Sequence, residues 1–124
     1  MNKKILVIDD ETMITKTLQK LLKKEGYDAT IVNSGSAALE KIKSEEFDLL
    51  ILDIRMPEMD GIETITAIRE YYSVEGKDPI PEIVITGYAD EAKYKCAVDL
   101  KVAAYIYKPF DTKEFLDTIK RTLA

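Results

Sequence analysis

The chain contains no histidine and a single cysteine, Cys96. Without histidine, imidazole acid–base catalysis within the chain is excluded. A zinc site of four cysteines, or of two cysteines and two histidines, is excluded as well, and so is an intrachain disulfide. Basic charge is scarce: 18 Lys and Arg stand against 23 Asp and Glu, a net charge of −5. That balance disfavours direct nucleic-acid binding by this domain, because phosphate contacts need clustered cations. No apolar run approaches membrane-spanning length and no signal peptide is visible. The chain therefore reads as cytoplasmic, with no membrane partner. Internal repeats, linkers and low-complexity tails are also missing, so residues 1–124 read as one domain with no output domain attached.

Apolar residues make up 46% of the chain, enough for a substantial core. They fall in alternating segments. Residues 4–8, KILVI, read as a central strand covered on both faces. Met13, Ile14, Thr17, Leu18, Leu21 and Leu22 then share a helical stripe, and Gly26 is placed to end that helix. YDATIV (27–32) predicts a second strand. SGSAALEKIKSEE (34–46) predicts a short helix with Ala38, Leu39 and Ile42 inward. FDLLILDI (47–54) predicts a third strand. In the loop RMPEMDG (55–61), Pro57 restricts Met56, and Gly61 suits a tight geometry. Ile62, Ile65, Ile68 and Tyr72 mark a third helix. A polar connection over 73–81, long for such a unit, leads to EIVITG (82–87) as a fourth strand. Residues 90–100 form a weakly amphipathic helix with Ala92, Cys96 and Leu100 as its inward positions. AAYIY (103–107) is a fifth strand. The last helix, 111–123, opens with Asp111 and Glu114 spaced as a capping box, and Phe115, Leu116, Ile119 and Leu123 form its stripe. Five strand–helix pairs imply an α/β fold whose parallel sheet is covered on both faces.

Open parallel sheets gather ligands at the carboxyl ends of their strands. Asp9 and Asp10 stand at the end of the first strand and Asp53 at the end of the third. Thr86 and Gly87 end the fourth, and Lys108 and Pro109 follow the fifth. Adjacent carboxylates repel each other, and a hard divalent cation with a taste for oxygen ligands, Mg²⁺, would hold them together. A carboxylate beside such a cation can act as a nucleophile toward a phosphoryl group. Thr86 and Lys108 can then hold the transferred oxygens, with the small Gly87 leaving room beside the hydroxyl. Each residue alone has a plainer reading. An aspartate pair can be a polar turn or a helix cap, Asp53 can be the same, Lys108 can be a surface charge, and Pro109 can start a helix. Their joint placement on successive strand ends favours the functional reading.

Four separated pieces, ILVIDDE, DLLILDIRMPEMDGIE, IVITGYAD and AAYIYKPFD, closely resemble the receiver domain of bacterial two-component response regulators, in order and across essentially the whole chain. The resemblance implies a flavodoxin-like (βα)5 three-layer sandwich with strand order 2-1-3-4-5. It implies Asp53 as phosphoacceptor, and Asp9 and Asp10 as the acidic pair holding Mg²⁺, for which Mn²⁺ can substitute. Asp10 would be the more direct ligand, and the backbone carbonyl of Arg55 a further one. Thr86 corresponds to the switch hydroxyl and Tyr105 to the aromatic switch residue. Lys108 would pair with Asp53 before phosphorylation and with the phosphoryl oxygens afterwards, and Pro109 would follow a cis peptide bond. Pro57 and Gly61 match the loop beyond the acceptor. Arg55 and Tyr88 occupy positions that flank the route of the hydrolytic water, with Tyr88 expected to obstruct it in part; Arg55 reads equally as a solvated charge. Tyr105, absent the motif, is ordinary strand packing.

The implied function is a signal relay. A sensor histidine kinase or phosphotransfer protein donates a phosphoryl group to Asp53. A downstream protein target then reads a changed face built from the fourth helix, fifth strand and fifth helix, to which Ala92, Lys93, Tyr94 and Lys95 belong. Homodimerisation on phosphorylation is a further implied partnership. Such a receiver assists its own phosphorylation and dephosphorylation and is not an enzyme on an outside metabolite. A phosphorylation-independent binding module of the same fold is the first alternative, and the complete acidic, hydroxyl and lysine set argues against it. An aspartyl phosphohydrolase would need Asp-x-Asp after its first strand, which VIDDET lacks, and nucleotide-binding glycine patterns are missing. The start MNKK reads as a natural N-terminus. The end, just after the last helix, fits a stand-alone regulator or a receiver cut from a longer DNA-binding or enzymatic one.

Overall fold

Short apolar runs become strands here because helices cover both of their faces. The structure, a computed structural model, describes residues 2–124. Its elements alternate without exception: β1 (Lys4–Ile8), α1 (Thr12–Lys24), β2 (Asp28–Val32), α2 (Gly35–Ser44), β3 (Leu49–Asp53), α3 (Gly61–Val74), β4 (Glu82–Thr86), α4 (Glu91–Asp99), β5 (Ala104–Tyr107) and α5 (Thr112–Leu123). The five strands are parallel in the order β2-β1-β3-β4-β5. This is the flavodoxin-like (βα)5 sandwich.

Strand alternation sorts the core into two layers. Leu6, Ile8, Leu50, Leu52 and Val84 face one way and pack with Ala38, Ile42, Ile65, Ile68 and Tyr72 of α2 and α3. Ile5, Val7, Leu49, Ile51, Ile83 and Ile85 face the other way, against Leu18 and Leu22 of α1 and Phe115 and Ile119 of α5. Ile8 stands opposite Leu52 and Asp53 opposite Ile85, so the first polar residue after β1 arrives beside the last residue of β3. The ladder runs one step past the strands: Asp9 N donates to Val32 O at 3.2 Å and Lys108 N to Thr86 O at 2.7 Å. Register therefore sets Asp9, Asp53, Thr86 and Lys108 along one edge of the sheet.

The helix ends follow local chemistry. At the end of α1, Gly26 sits at φ +88°, while Tyr27 N donates to Leu22 O at 3.0 Å and Gly26 N to Lys23 O at 3.0 Å. This Schellman closure needs a left-handed residue, which glycine adopts without strain. It also consumes Tyr27, so β2 begins one residue later than the expected 27. The same pair of bonds ends α4 around Lys101, which holds φ +58° despite its side chain. The reciprocal capping box forms at Asp60 and Glu63 rather than at Asp111. Asp111 contributes the forward bond, accepting from Glu114 N at 3.0 Å.

One helical phase differs from expectation, and another differs only at its margin. In α1 the stripe of Ile14, Leu18, Leu21 and Leu22 packs on the core, whereas Met13 is 84% exposed, Thr17 is exposed and Thr15 is buried. Thr15 is tolerated inward because its hydroxyl donates to Thr12 O at 2.9 Å. In α4, Ala92 and Cys96 point outward, Leu100 is half-buried at the cap, and Ala97 is the buried side chain. Lys93, Ala97 and Leu100, spaced by four and three, form the inward line. The apolar content of α4 is too low to mark its own phase, and the Asp90 cap, accepting from Lys93 N at 3.0 Å, sets it instead.

Candidate functional site

Asp9 and Asp53 are buried at the carboxyl ends of β1 and β3, and Asp10 is exposed beside them. One carboxylate oxygen from each lies within 4.8 Å of the other two. Backbone donors aim the two buried groups. Glu11 N donates to Asp9 Oδ1 at 2.9 Å and Arg55 N to Asp53 Oδ1 at 3.1 Å, the local turn that aspartate makes two residues on. The other oxygens face Lys108, whose Nζ donates to Asp9 Oδ2 at 3.0 Å and to Asp53 Oδ2 at 3.1 Å.

Burial pushes the Asp53 carboxyl above the usual aspartate range, and it stays there although Lys108 pulls the other way. For Lys108 burial acts downward, but the hydrogen bonds and charges of Asp9 and Asp53 outweigh it and hold the ammonium above its ordinary value. Lys108 thus offsets part of the burial cost of the Asp53 carboxylate and not all of it. A further acid joins from outside the expected set: Glu11 Oε1 accepts from Lys108 Nζ at 3.4 Å. The signal for it was a third acidic residue directly after the Asp9–Asp10 pair.

Thr86 is buried at the end of β4, and its Oγ1 accepts the Tyr88 N–H at 3.2 Å. Gly61 begins α3 hard against β3. Its N–H donates to Ile54 O at 2.8 Å, and a Cβ there would collide with the Asp53 carbonyl oxygen and sit 2.9 Å from Ile54 Cα. That close approach explains the glycine beyond the acceptor. Pro57 lies exposed in the same loop, where its carbonyl accepts from Met59 N at 2.8 Å. Lys108–Pro109 is cis. Apart from its chain neighbours, no atom lies within 4 Å of the position where a Gly87 Cβ would be.

Arg55 and Tyr88, distant in sequence, are brought together. The Arg55 guanidinium carbon lies 4.1 Å from the centre of the Tyr88 ring, a cation–π stack. Tyr105 is half-buried on β5. Its ring meets Tyr94 edge-on at 5.0 Å and Tyr107 at 5.4 Å. The Tyr105 hydroxyl has no hydrogen-bond partner among the described residues.

Three clustered carboxylates, two of them buried, form a hard-oxygen donor set suited to a divalent cation. This set lies at the carboxyl edge of a doubly wound sheet, where such folds bind their ligands. Residues 5–120 match the family model described as response regulator receiver domain, and the chain belongs to that family. It is 36% identical over 123 residues to the alkaline phosphatase synthesis transcriptional regulatory protein PhoP of Bacillus subtilis (strain 168), covering 99% of this chain and 49% of that protein. The chain thus spans about half the length of that curated relative. Among solved structures, a CheY-like response regulator receiver domain protein from Methanospirillum hungatei JF-1 superposes with a TM-score of 0.90 at 31% identity, covering 99% of this chain and 94% of that one. The chemotaxis protein CheY4 of Vibrio cholerae superposes at 0.87 with 27% identity, covering 99% of this chain and 100% of that one. By family the chain is a receiver domain of phosphorelay signalling. No helix among the described residues is long and apolar enough to cross a membrane.

Proposed function

We propose that Asp53 accepts a phosphoryl group from a phosphohistidine on a sensor kinase or phosphotransfer protein, and that the modification changes the α4–β5–α5 face. The observation carrying this reading is Lys108 bridging two buried carboxylates, Asp9 and Asp53, at the carboxyl edge of the sheet. A carboxylate oxygen of Asp53 attacks phosphorus. An O–P bond forms, the P–N bond to the donor imidazole breaks, and its electron pair returns to nitrogen. Asp9, Asp10, Asp53 and the Arg55 carbonyl are the groups to hold Mg²⁺, with Mn²⁺ able to replace it. The bound cation supplies charge neutralisation of the phosphoryl oxygens.

Lys108 is already poised over Asp53 and moves its hydrogen bonds to the phosphoryl oxygens. Thr86 turns its hydroxyl from the Tyr88 backbone to the same group, and Tyr105 follows into the space released. Tyr94 and Tyr107, 45% and 47% exposed, present aromatic surface on the changing face. That face takes the downstream protein target or a second copy of the chain. The net charge of −5 supports a protein rather than nucleic acid as its direct partner, in the cytoplasm. The Arg55–Tyr88 stack narrows the path of water to the acyl phosphate and lengthens its life.

Intact mass after incubation with acetyl phosphate and Mg²⁺ tests the reading. One phosphoryl adduct is expected in the native protein and none in Asp53→Ala or with EDTA. Tyr88→Ala should lose the adduct several-fold faster. An adduct that persists in Asp53→Ala moves the acceptor elsewhere. No adduct with any of several small donors favours a phosphorylation-independent binding module.

A further inference from the structure

The segment from Thr86 into α4 packs lightly, with the Tyr94 ring edge-on to Tyr105, and charge adds to its ties to the rest of the molecule. Of the α4 side chains, Ala97 is the buried one. The first turn of the helix stands over a cavity of about 380 Å³ lined by Ile54, Met56, Pro57 and Asp90 together with Arg55, Asp60 and Lys93. Lys93 bridges that gap. Its Nζ donates to Asp60 Oδ2 at 2.6 Å. Asp60 is a firm anchor, because its other carboxylate oxygen accepts Glu63 N at 2.8 Å in the α3 capping box, and Gly61 beside it is pressed on β3. A second tie crosses a few residues away, where the Arg55 guanidinium covers the Tyr88 ring at 4.1 Å. Both ties run from the β3–α3 loop to the segment that carries Tyr88, whose N–H is held by Thr86 Oγ1 at 3.2 Å.

We propose that Lys93 and Asp60 are positioning residues: with Arg55 on Tyr88 they form a two-point latch that holds the β4–α4 loop, and through it the Thr86 hydroxyl, in the resting arrangement. The proposal rests on the reading of Asp53 as phosphoacceptor and Thr86 as the group that turns toward it. Thr86 cannot leave the Tyr88 N–H freely while that loop is pinned at both ends. Each state of the loop is favoured by what binds it better, and the latch binds the resting one. Burial pushes the Asp60 carboxyl up, but the Lys93 and Glu63 hydrogen bonds outweigh it and hold it below the usual aspartate range. The Asp60 hydrogen bond in turn holds the Lys93 ammonium above its ordinary value. The pair is therefore fully charged at neutral pH. With side chains 36% and 19% exposed, it is accessible enough to open.

Two variants separate the latch from the caps. Asp60→Asn keeps an N-cap side chain and removes the charge; Lys93→Met keeps the length of the stem and removes the ammonium. Amide hydrogen exchange on the unphosphorylated full chain is the first readout. Residues 91–99 should exchange several-fold faster in both variants while α3 is unchanged, and Lys93→Arg should restore native exchange. The rate of phosphorylation by acetyl phosphate at fixed Mg²⁺ is the second, expected to rise about three-fold in both variants, the factor an ordinary exposed ion pair supplies. Unchanged exchange overturns the latch. Faster exchange with an unchanged phosphorylation rate overturns its hold on Thr86. If even the native protein takes no phosphoryl group, the phosphoacceptor reading fails by itself, and the exchange measurement still decides whether the latch exists.

Discussion

Tyr105 carries an unusual burden for a single side chain. Its hydroxyl is buried without a hydrogen-bond partner among the described residues, and an orphaned buried polar group costs about 1–3 kcal/mol. The ring is well held between Tyr94 and Tyr107, so packing offsets the loss. A group that gains nothing at its polar end in the resting arrangement is suited to a residue that changes place. Tyr105→Phe should therefore raise the unfolding free energy at pH 7 by about 1 kcal/mol. The gap should widen in alkali. Burial pushes the folded phenol up to about 12 from the ordinary 10.0. Between those values the unfolded chain has lost the proton and the native protein keeps it, so native stability falls with rising pH. Tyr105→Phe removes that contribution. Urea unfolding at pH 7 and pH 11 checks both parts, and a Tyr105→Phe protein less stable than native at either pH contradicts them.

Among the elements, α3 and β4 are joined by a charged tie far from the acidic pocket. Glu82 opens β4 and is 2% exposed; Arg69 of α3 meets it with two parallel hydrogen bonds, both 2.8 Å. A forked pair of this kind satisfies both oxygens of the carboxylate. The partners are unequal, because the Arg69 side chain is 33% exposed and the Glu82 side chain 3%. Losing Arg69 strands a buried carboxylate, whereas losing Glu82 leaves an arginine that reaches water. Arg69→Met should thus cost about 3 kcal/mol and Glu82→Met distinctly less. Replacing both should recover most of the loss. Chemical denaturation of the three variants measures this, and equal costs for the two single changes would show that both charges are solvated. The contrast with α4 is instructive. α3 is held by a deep apolar face, a reciprocal cap and this tie, while α4 has Ala97, a cap and Lys93. Mobility is expected where burial is least.

At the scale of the molecule, the acidic edge sets the terms of stability. Asp9, Asp10 and Asp53 crowd together in a protein already at net charge −5, and one lysine answers them. A cation that binds the folded protein and not the unfolded chain adds stability by mass action, about 2.7 kcal/mol at a hundredfold excess over its dissociation constant. For a domain of this size that is a melting shift of about 10 °C. Saturating Mg²⁺ should raise the melting temperature by that order, and EDTA should reverse it. Asp10→Asn should blunt the shift without lowering the metal-free melting temperature, since Asp10 is exposed and its removal relieves repulsion. An undiminished shift in Asp10→Asn would place the cation elsewhere.

Much of this was legible in the residues themselves. Strand runs such as KILVI and LLILD, and the polar residue that ends each, are local patterns, and alternation with helical stripes leaves few topologies. Asp9, Asp10, Asp53, Thr86 and Lys108 could be set on one sheet edge from sequence alone for that reason, and the four motif pieces named the family. The phase of α4 was not legible, nor were the margins of the α1 stripe. Met13 looks apolar and lies in water, while Thr15 looks polar and lies inside, because a hydroxyl can be satisfied by its own helix. Other features arise only when distant segments meet: Glu11 on Lys108, Arg55 on Tyr88, Lys93 on Asp60. The sequence by itself determined which chemistry gathers at the strand ends, since register carries it there. The tertiary structure alone decided how that chemistry is restrained, because contacts between charged and aromatic side chains leave no periodic trace along the chain.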